Sequence, residues 1–349
     1  MKRVSVIIPN WNGKELLGPC LESLYRQEFD DFETIVVDNG SIDGSVAFVE
    51  RNFPEVAIVR LDENRGFSAA VNAGINASSA PYVCLLNNDT EVDRRWLETL
   101  VNALAADSQA GSAASKVLFF ADPQSVNSAG DEFSLFGVAY QRRLMQGDTD
   151  LFNQARYVFS ACGAAALYRR DLFEKIGLFD ESFFAYQEDV DIGFRSQLAG
   201  YRCLYVPAAV VYHKYHKTAS KVAGLWMHLR ERNKYFVLIK NLPAKFYFFC
   251  LPLFLLHEAL GLLQAVRLRH IKVYFTARRD VWRYLPQLLR SRREIQSRRV
   301  VGDAYLFGIM NFREPLRVLF YRPFHAFISR LRTLGRGTLA GGGSNRLGG

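Results

Sequence analysis

The sequence predicts an α/β fold in which a mostly parallel sheet lies between helices, with a basic helical extension at the C-terminal end. Three observations predict it. Short, fully apolar, β-branched runs alternate with segments of helical period, the pattern of strands buried on both faces. A polar cluster follows the carboxyl end of several of those runs. The charge also divides sharply along the chain: residues 1–220 hold 20 Lys+Arg against 29 Asp+Glu (net −9), and residues 221–349 hold 24 against 6 (net +18).

The elements follow in order. Val4 to Ile8 is a strand, stopped by Pro9-Asn10-Trp11-Asn12-Gly13. Glu15 to Gln27 is a helix with Leu16, Leu17, Leu21 and Leu24 on one side. Thr34 to Val37 is a second strand, Gly44 to Asn52 a helix, and Ala57 to Arg60 a third strand. Phe67 to Asn76 is a helix and Tyr82 to Leu86 a fourth strand. Between about 110 and 160 the pattern weakens into strands and loops without a readable order. Asp171 to Ile176 and Glu188 to Ala199 are helical, and Cys203 to Val206 and Val210 to Tyr212 are strand-like. From Leu225 the chain is helical and basic, and its Gly341–Gly349 end is expected to be disordered. The division that results is 1–240, 241–335 and 336–349: a catalytic unit, a helical basic unit and a tail.

Composition excludes several classes. With 349 residues, 49% hydrophobic and 23% charged, the chain can bury a core and is neither collagen-like nor wholly disordered. Its five cysteines form no C-x-x-C pair, which argues against a disulfide scaffold and fits a reducing compartment. The apolar run after Met1-Lys2-Arg3 is too short for a signal-peptide core, so a cytoplasmic location is expected. No G-x-G-x-x-G follows the first strand, which argues against a dinucleotide-dependent dehydrogenase.

The polar clusters carry the chemistry. Asp38 ends a buried strand and opens Asp38-Asn39-Gly40-Ser41-Ile42-Asp43-Gly44-Ser45; it suits hydrogen bonds from a base or ribose, or simply an Asx-rich turn. In Asn64-Arg65-Gly66-Phe67 a helix start beside an Arg suits phosphate. In Asn87-Asn88-Asp89-Thr90 strand alternation would turn Asn87 and Asp89 to one side, an arrangement for a hard divalent cation. Glu188-Asp189-Val190-Asp191 opens a helix, where a carboxylate held ionised is a candidate general base. Asp191 and Arg195 are spaced for an i,i+4 pair. His213 ends a strand as a candidate metal ligand, and Lys214 to Lys221 is a basic loop able to close over phosphates.

Taken together, Val4 to Gly13, Val37 to Ser45, Asn64 to Phe67, Leu86 to Asp89, Glu188 to Asp191 and His213 resemble the family 2 glycosyltransferases of the GT-A fold. More narrowly the chain looks like the bacterial rhamnosyltransferase-type members that build surface polysaccharides. The resemblance covers roughly residues 3–240. It implies a nucleotide pocket lined by Pro9, Asn10, Asp38, Arg65 and Asn88, a divalent metal (Mn²⁺ or Mg²⁺) at Asp89 and His213, and Asp189 as the catalytic base. Glu188, Asn87 and Lys217 are supporting candidates. One position departs from the family's D-x-D element: its first acid is Asn87 here, so Asp89 is its only carboxylate. The implied reaction is inverting transfer of a sugar, rhamnose from dTDP-rhamnose, to a hydroxyl of a lipid-linked or cell-surface glycan. The alternative is a catalytically weak or silent nucleotide-sugar-binding protein of the same fold.

Phe246 to Leu256 is an unbroken apolar stretch, roughly 17 Å long as a helix and so short of a bilayer core of about 30 Å. Residues 267–349 hold 18 Lys+Arg and 4 Asp+Glu, and a span here would carry that charge across the membrane. The expectation is an interfacial or re-entrant segment on anionic lipid, peripheral on the inner face of the plasma membrane. A buried helix packed on protein is the competing reading. Nucleic acid is not an expected partner, because the aromatics of the basic region read as an amphipathic face. Oligomeric state is left open.

Overall fold

The computed structural model describes residues 2–142, 146–147, 152–215 and 223–311. The Lys217 assignment, the 336–349 tail and most of the Lys214–Lys221 loop lie outside them.

The first half is regular. Strands β1 (Val4–Asn10), β2 (Phe32–Asn39), β3 (Ala57–Leu61) and β4 (Tyr82–Leu86) alternate with helices α1 (Lys14–Tyr25), α2 (Ser45–Asn52) and α3 (Gly66–Asn76). The strands pair in parallel in the order β3-β2-β1-β4. Alternate strand residues feed two separate cores. Val6, Ile8, Val36 and Leu86 pack with Leu17, Leu21 and Val49 on one side, while Ile7, Ile35, Val37 and Leu85 pack with Val71 and Ile75 on the other. Each such fully buried side chain contributes on the order of 1.5–3 kcal/mol. That two-sided burial is why these strands read as continuous apolar runs.

The second half adds antiparallel partners. It comprises β5 (Thr90–Val92), α4 (Trp96–Ala106), β6 (Ala110–Phe119), β7 (Asp122–Ser128), β8 (Asp131–Phe133), β9 (Ala139–Gln141), β10 (Gln146–Gly147), β11 (Arg156–Val158) and β12 (Ala165–Arg169), then α5 (Arg170–Ile176), a 3-10 turn at Glu181–Phe183, α6 (Glu188–Leu198) and β13 (Arg202–His213). Strand β12 runs antiparallel between β4 and β6, and β13 runs parallel to β6 and antiparallel to β5 and β11. The two strand-like segments around residue 208 are thus one long strand, with a register shift between Val206 and Val210. Its far end carries His213 to Thr90, one residue beyond Asp89.

Four helices complete the described chain: α7 (Ala223–Asn241), α8 (Ala244–Arg267), α9 (Ile271–Ser297) and α10 (Asp303–Ile309). A third core joins them to the catalytic unit, with Phe133, Phe159, Phe183 and Phe194 meeting Phe236, Val237, Phe246 and Leu288. The apolar stretch is longer than its eleven-residue core suggests. Helix α8 has 24 residues, roughly 36 Å at the α-helical rise, so length alone does not exclude a span. One face of α8 packs on protein: Glu258 meets Lys234 and Arg278, and Phe246 stacks on Phe307. The opposite face is exposed.

Candidate active site

The carboxyl ends of β1, β2 and β4 bring the polar clusters together. Asn10 and Asp38 are register partners at the tips of β1 and β2. The buried Asp38 carboxylate accepts the Ser41 N–H at 3.1 Å and faces the Asn10 amide at 3.5 Å. Asn88 Nδ2 donates to Asn10 Oδ1 at 2.7 Å. A Cβ on Gly13 would collide with both amides, so only glycine lets the chain pass there. Next to them Asn39 donates to the Gly66 carbonyl at 3.0 Å and accepts the Arg65 N–H at 2.9 Å, tying β2 to the start of α3. The Arg65 side chain lies at the rim, paired with Glu181 at 3.2 Å. Pro9 is half-buried beside this cluster.

Residues Asn87 to Asp89 are a turn between β4 and β5, not strand. The Thr90 N–H closes a turn on Asn87 O at 3.2 Å, so the alternation that would align Asn87 with Asp89 does not apply. Asn87 serves through its backbone, with its N–H donating to Ala164 O at 2.9 Å. Asp89 is buried, with Oδ1 at 3.1 Å from His213 Nε2. The other ring nitrogen, Nδ1, lies 3.0 Å from Asn127 Oδ1, which fixes the ring's orientation. Two electron-rich atoms at 3.1 Å need a positive centre between them, either a ring proton or a metal ion. Among the described residues no three His, Cys, Asp or Glu side chains cluster as a metal cage. The donor set therefore fits a cation that takes one carboxylate and one imidazole from protein and its remaining ligands from phosphate and water, the habit of Mg²⁺ and Mn²⁺ sites.

Asp189 is half-buried in the first turn of α6. Its Oδ2 accepts the Gly163 N–H at 2.9 Å and its Oδ1 the Val190 N–H at 2.9 Å. Gly163 precedes Ala164, the residue bonded to Asn87, and Ala165, the register partner of Leu86. Asp189 is thus bonded to the residue next to the one that bonds the Asn87–Asp89 turn. Burial raises its pKa, and the two backbone N–H groups restrain the rise. Two more carboxyls crowd it. Burial, then the Asp189 charge, pushes Glu188 and Asp131 well above the usual carboxylate range. Asp131 accepts the Ser160 hydroxyl at 3.2 Å, and Glu188 Oε2 is buried with no partner among the described residues. The pKa of the Tyr186 phenol is raised by burial, then by the Glu188 charge. Asp191 serves structure: it pairs with Arg195 at 2.9 Å and with Lys240 at 2.9 Å.

The family 2 glycosyl transferase profile matches residues 5–177, about half of the chain. The chain belongs to glycosyl transferase family 2. This family 2 protein is 32% identical over 230 residues to an uncharacterised protein of Sinorhizobium fredii, a match covering 62% of this chain but 25% of that one. It is 29% identical over 247 residues to the N-acetylglucosaminyl-diphospho-decaprenol L-rhamnosyltransferase of Mycobacterium tuberculosis, covering 62% of this chain and 78% of the relative. Among solved structures, GalNAc-T7 with UDP, GalNAc and Mn²⁺ superposes with a TM-score of 0.56 at 16% identity, over 69% of this chain and 48% of that one. The last likeness supports the GT-A fold. The structure joins Asn10, Asp38 and Asn88 at the tips of β1 and β2, sets Asp89 against His213, and places Asp189 in the first turn of α6. Asn127 contacts His213, and Gly163 contacts Asp189. The sequence gives no hint of Asn127 and Gly163, whose roles rest on contacts with distant residues. Tyr186 stood in the aromatic run before Glu188.

Proposed function

We propose that this glycosyltransferase inverts the anomeric centre of a nucleoside-diphosphate sugar as it transfers the sugar to an acceptor hydroxyl. The observation that carries the reading is the placement of Asp189. Its carboxylate is oriented by two backbone N–H groups, one of them from Gly163, whose neighbour Ala164 bonds Asn87 in the turn that sets Asp89 against His213. Asp189 takes the hydroxyl proton as that oxygen attacks the anomeric carbon from the face opposite the diphosphate. One displacement needs no protein nucleophile. Asp38, Asn10 and Asn88, held to one another by hydrogen bonds, orient the nucleoside. Asp89 and His213 would hold a divalent cation, which when bound supplies positive charge to the departing diphosphate.

The donor we propose is dTDP-rhamnose and the acceptor a sugar on a lipid diphosphate, on the strength of the mycobacterial relative's name. A membrane-borne acceptor also suits the outer face of α8. Phe248, Phe249, Leu255, Leu256, Leu263 and Val266 form an exposed stripe along it, while His257 and Glu258 turn inward. Beside it α9 exposes Phe275 and Trp282 among Lys272, Arg279, Arg283 and Arg290, an aromatic and cationic face suited to anionic headgroups. We propose peripheral attachment to the cytoplasmic leaflet through these two helices.

Calorimetric titration with dTDP, UDP and GDP, with and without Mn²⁺, tests the donor site, and product analysis with dTDP-rhamnose tests the transfer. Metal-strengthened binding of one nucleotide and an inverted product are expected. No binding of any of the three would sink the reading, and binding without turnover would favour a silent member of the fold.

A further inference from the structure

The segment just before Glu188 has an unusual backbone. Phe184 sits at φ 64°, ψ −64°, and the Ala185 N–H bonds back to Phe183 O at 2.8 Å, a γ-turn of the strained positive-φ kind. Tyr186 and Gln187 follow at φ 71° and 68°. None of these three is glycine, and L-residues avoid this region. The compensation comes from α7, far along the chain. The fully buried Asn233 amide donates toward the carbonyls of Phe183 (2.9 Å), Ala185 (2.9 Å) and Tyr186 (2.7 Å). Arg232 holds the carbonyls of Ser182 and Phe183 at 2.8 and 3.0 Å, and its Nε–H orients Asn233 Oδ1 at 2.9 Å. From the nucleotide side the Ser68 N–H reaches Phe184 O at 3.3 Å, and a Cβ on Gly66 would strike that same carbonyl. Two turns further along α7, Lys240 and Asn241 grip Asp180 and Asp191, on either side of the segment. Strain held by remote contacts beside a reactive group is a recurring mark of functional backbone.

We propose that Asn233, backed by Arg232, is a positioning residue for the catalytic carboxylate. It holds Phe184–Gln187 in a conformation the segment would otherwise leave, and so fixes where α6 begins and where Asp189 faces. The inference rests on Asp189 being the base. The test uses the full chain, with turnover measured on whichever of dTDP-rhamnose, UDP-glucose and GDP-mannose wild type consumes fastest. Binding of the matching free nucleoside diphosphate with Mn²⁺ is measured separately. Asn233→Ala should lower kcat roughly 100-fold, as a misplaced reacting group does, with KM and nucleotide affinity within about threefold of wild type. Adding Gln187→Gly, a glycine where φ is positive, should recover part of kcat, since the segment then needs less holding. If Asn233→Ala does not fold, Arg232→Lys replaces it; that change removes one of the two grips and should lower kcat about tenfold at constant KM. Normal kcat in the folded variant, or equal losses of kcat and nucleotide affinity that Gln187→Gly does not relieve, would overturn the clamp alone. A wild type without Asp189-dependent turnover would overturn the parent reading and the clamp with it.

Discussion

Three carboxyls lie in one turn of a helix and a neighbouring strand, and burial, reinforced at Glu188 and Asp131 by the Asp189 charge, sets the chemistry at the residue scale. Because burial raises the Asp189 pKa, the base is fully ionised only above the ordinary aspartate range, and the acid limb of kcat should lie above about pH 3.9. Asp131→Asn should leave that limb nearly where it is in a pH–rate profile, because Asp131 is itself held protonated while Asp189 ionises. Asp189→Asn should lower turnover by roughly two to four powers of ten with nucleotide affinity nearly intact, as calorimetry would verify. Gly13→Ala should act the other way, costing nucleotide affinity first, because its methyl would displace the Asn10 and Asn88 amides. Much at this scale was legible. Asp38, Asp89, Asp189 and His213 stand in recognisable local patterns; the structure sets Asp38 at the tip of β2, Asp89 against His213, and Asp189 in the first turn of α6. Asn127 and Gly163 were not legible, since an amide or a backbone N–H acquires its role only from what folding brings near it.

At the scale of elements, legibility followed burial. Strands β1 to β4 are covered on both faces by large aliphatics and announce themselves. Strand β6 is just as buried, but its Ala110-Gly111-Ser112-Ala113-Ala114-Ser115 start fills the space with small residues and gives no periodic signal. It lies between β12 and β13 in the sheet. Helix α7 lies in the basic part of the chain, yet its Arg232, Lys234 and Lys240 are buried and committed. The ion pair of Lys240 with Asp180 is an example. Burial would raise the Asp180 pKa, but Lys240 and the Ser182 N–H outweigh it and hold it at about 2. A depressed carboxylate stabilises the fold above its unfolded pKa and loses that contribution as pH falls through the folded one. Denaturant titrations should therefore show about 2 kcal/mol of stability lost between roughly pH 5 and pH 2, and that loss should be much reduced in Asp180→Asn.

For the whole molecule, the charge split read from the sequence corresponds to a spatial one, with α8 and α9 presenting an apolar stripe beside a cationic face. Anionic vesicles should bind the full chain in a flotation assay, and Phe248→Asp with Leu255→Asp should abolish that binding while leaving nucleotide affinity unchanged. High salt should weaken attachment only in part, because the stripe contributes independently of charge. Attachment through α8 would hold the catalytic cleft at a fixed height over the lipid, where a membrane-bound acceptor would meet it.

The C-terminal helices also return to the cleft by a second route. The N–H of Leu135 bonds to Asn311 O at 3.0 Å, Asn311 donates back to Phe133 O at 3.1 Å, and its amide reaches Glu132 at 2.7 Å. The hairpin of β8 and β9, which begins at Asp131, is therefore stitched to the far end of the described chain. Anyone shortening this protein to make it easier to purify would cut a supporting beam rather than trim an ornament. A version ending near residue 240 would leave that hairpin unsecured and the aromatic floor beneath α6 open to water, so its inactivity would say nothing about where the acceptor sits.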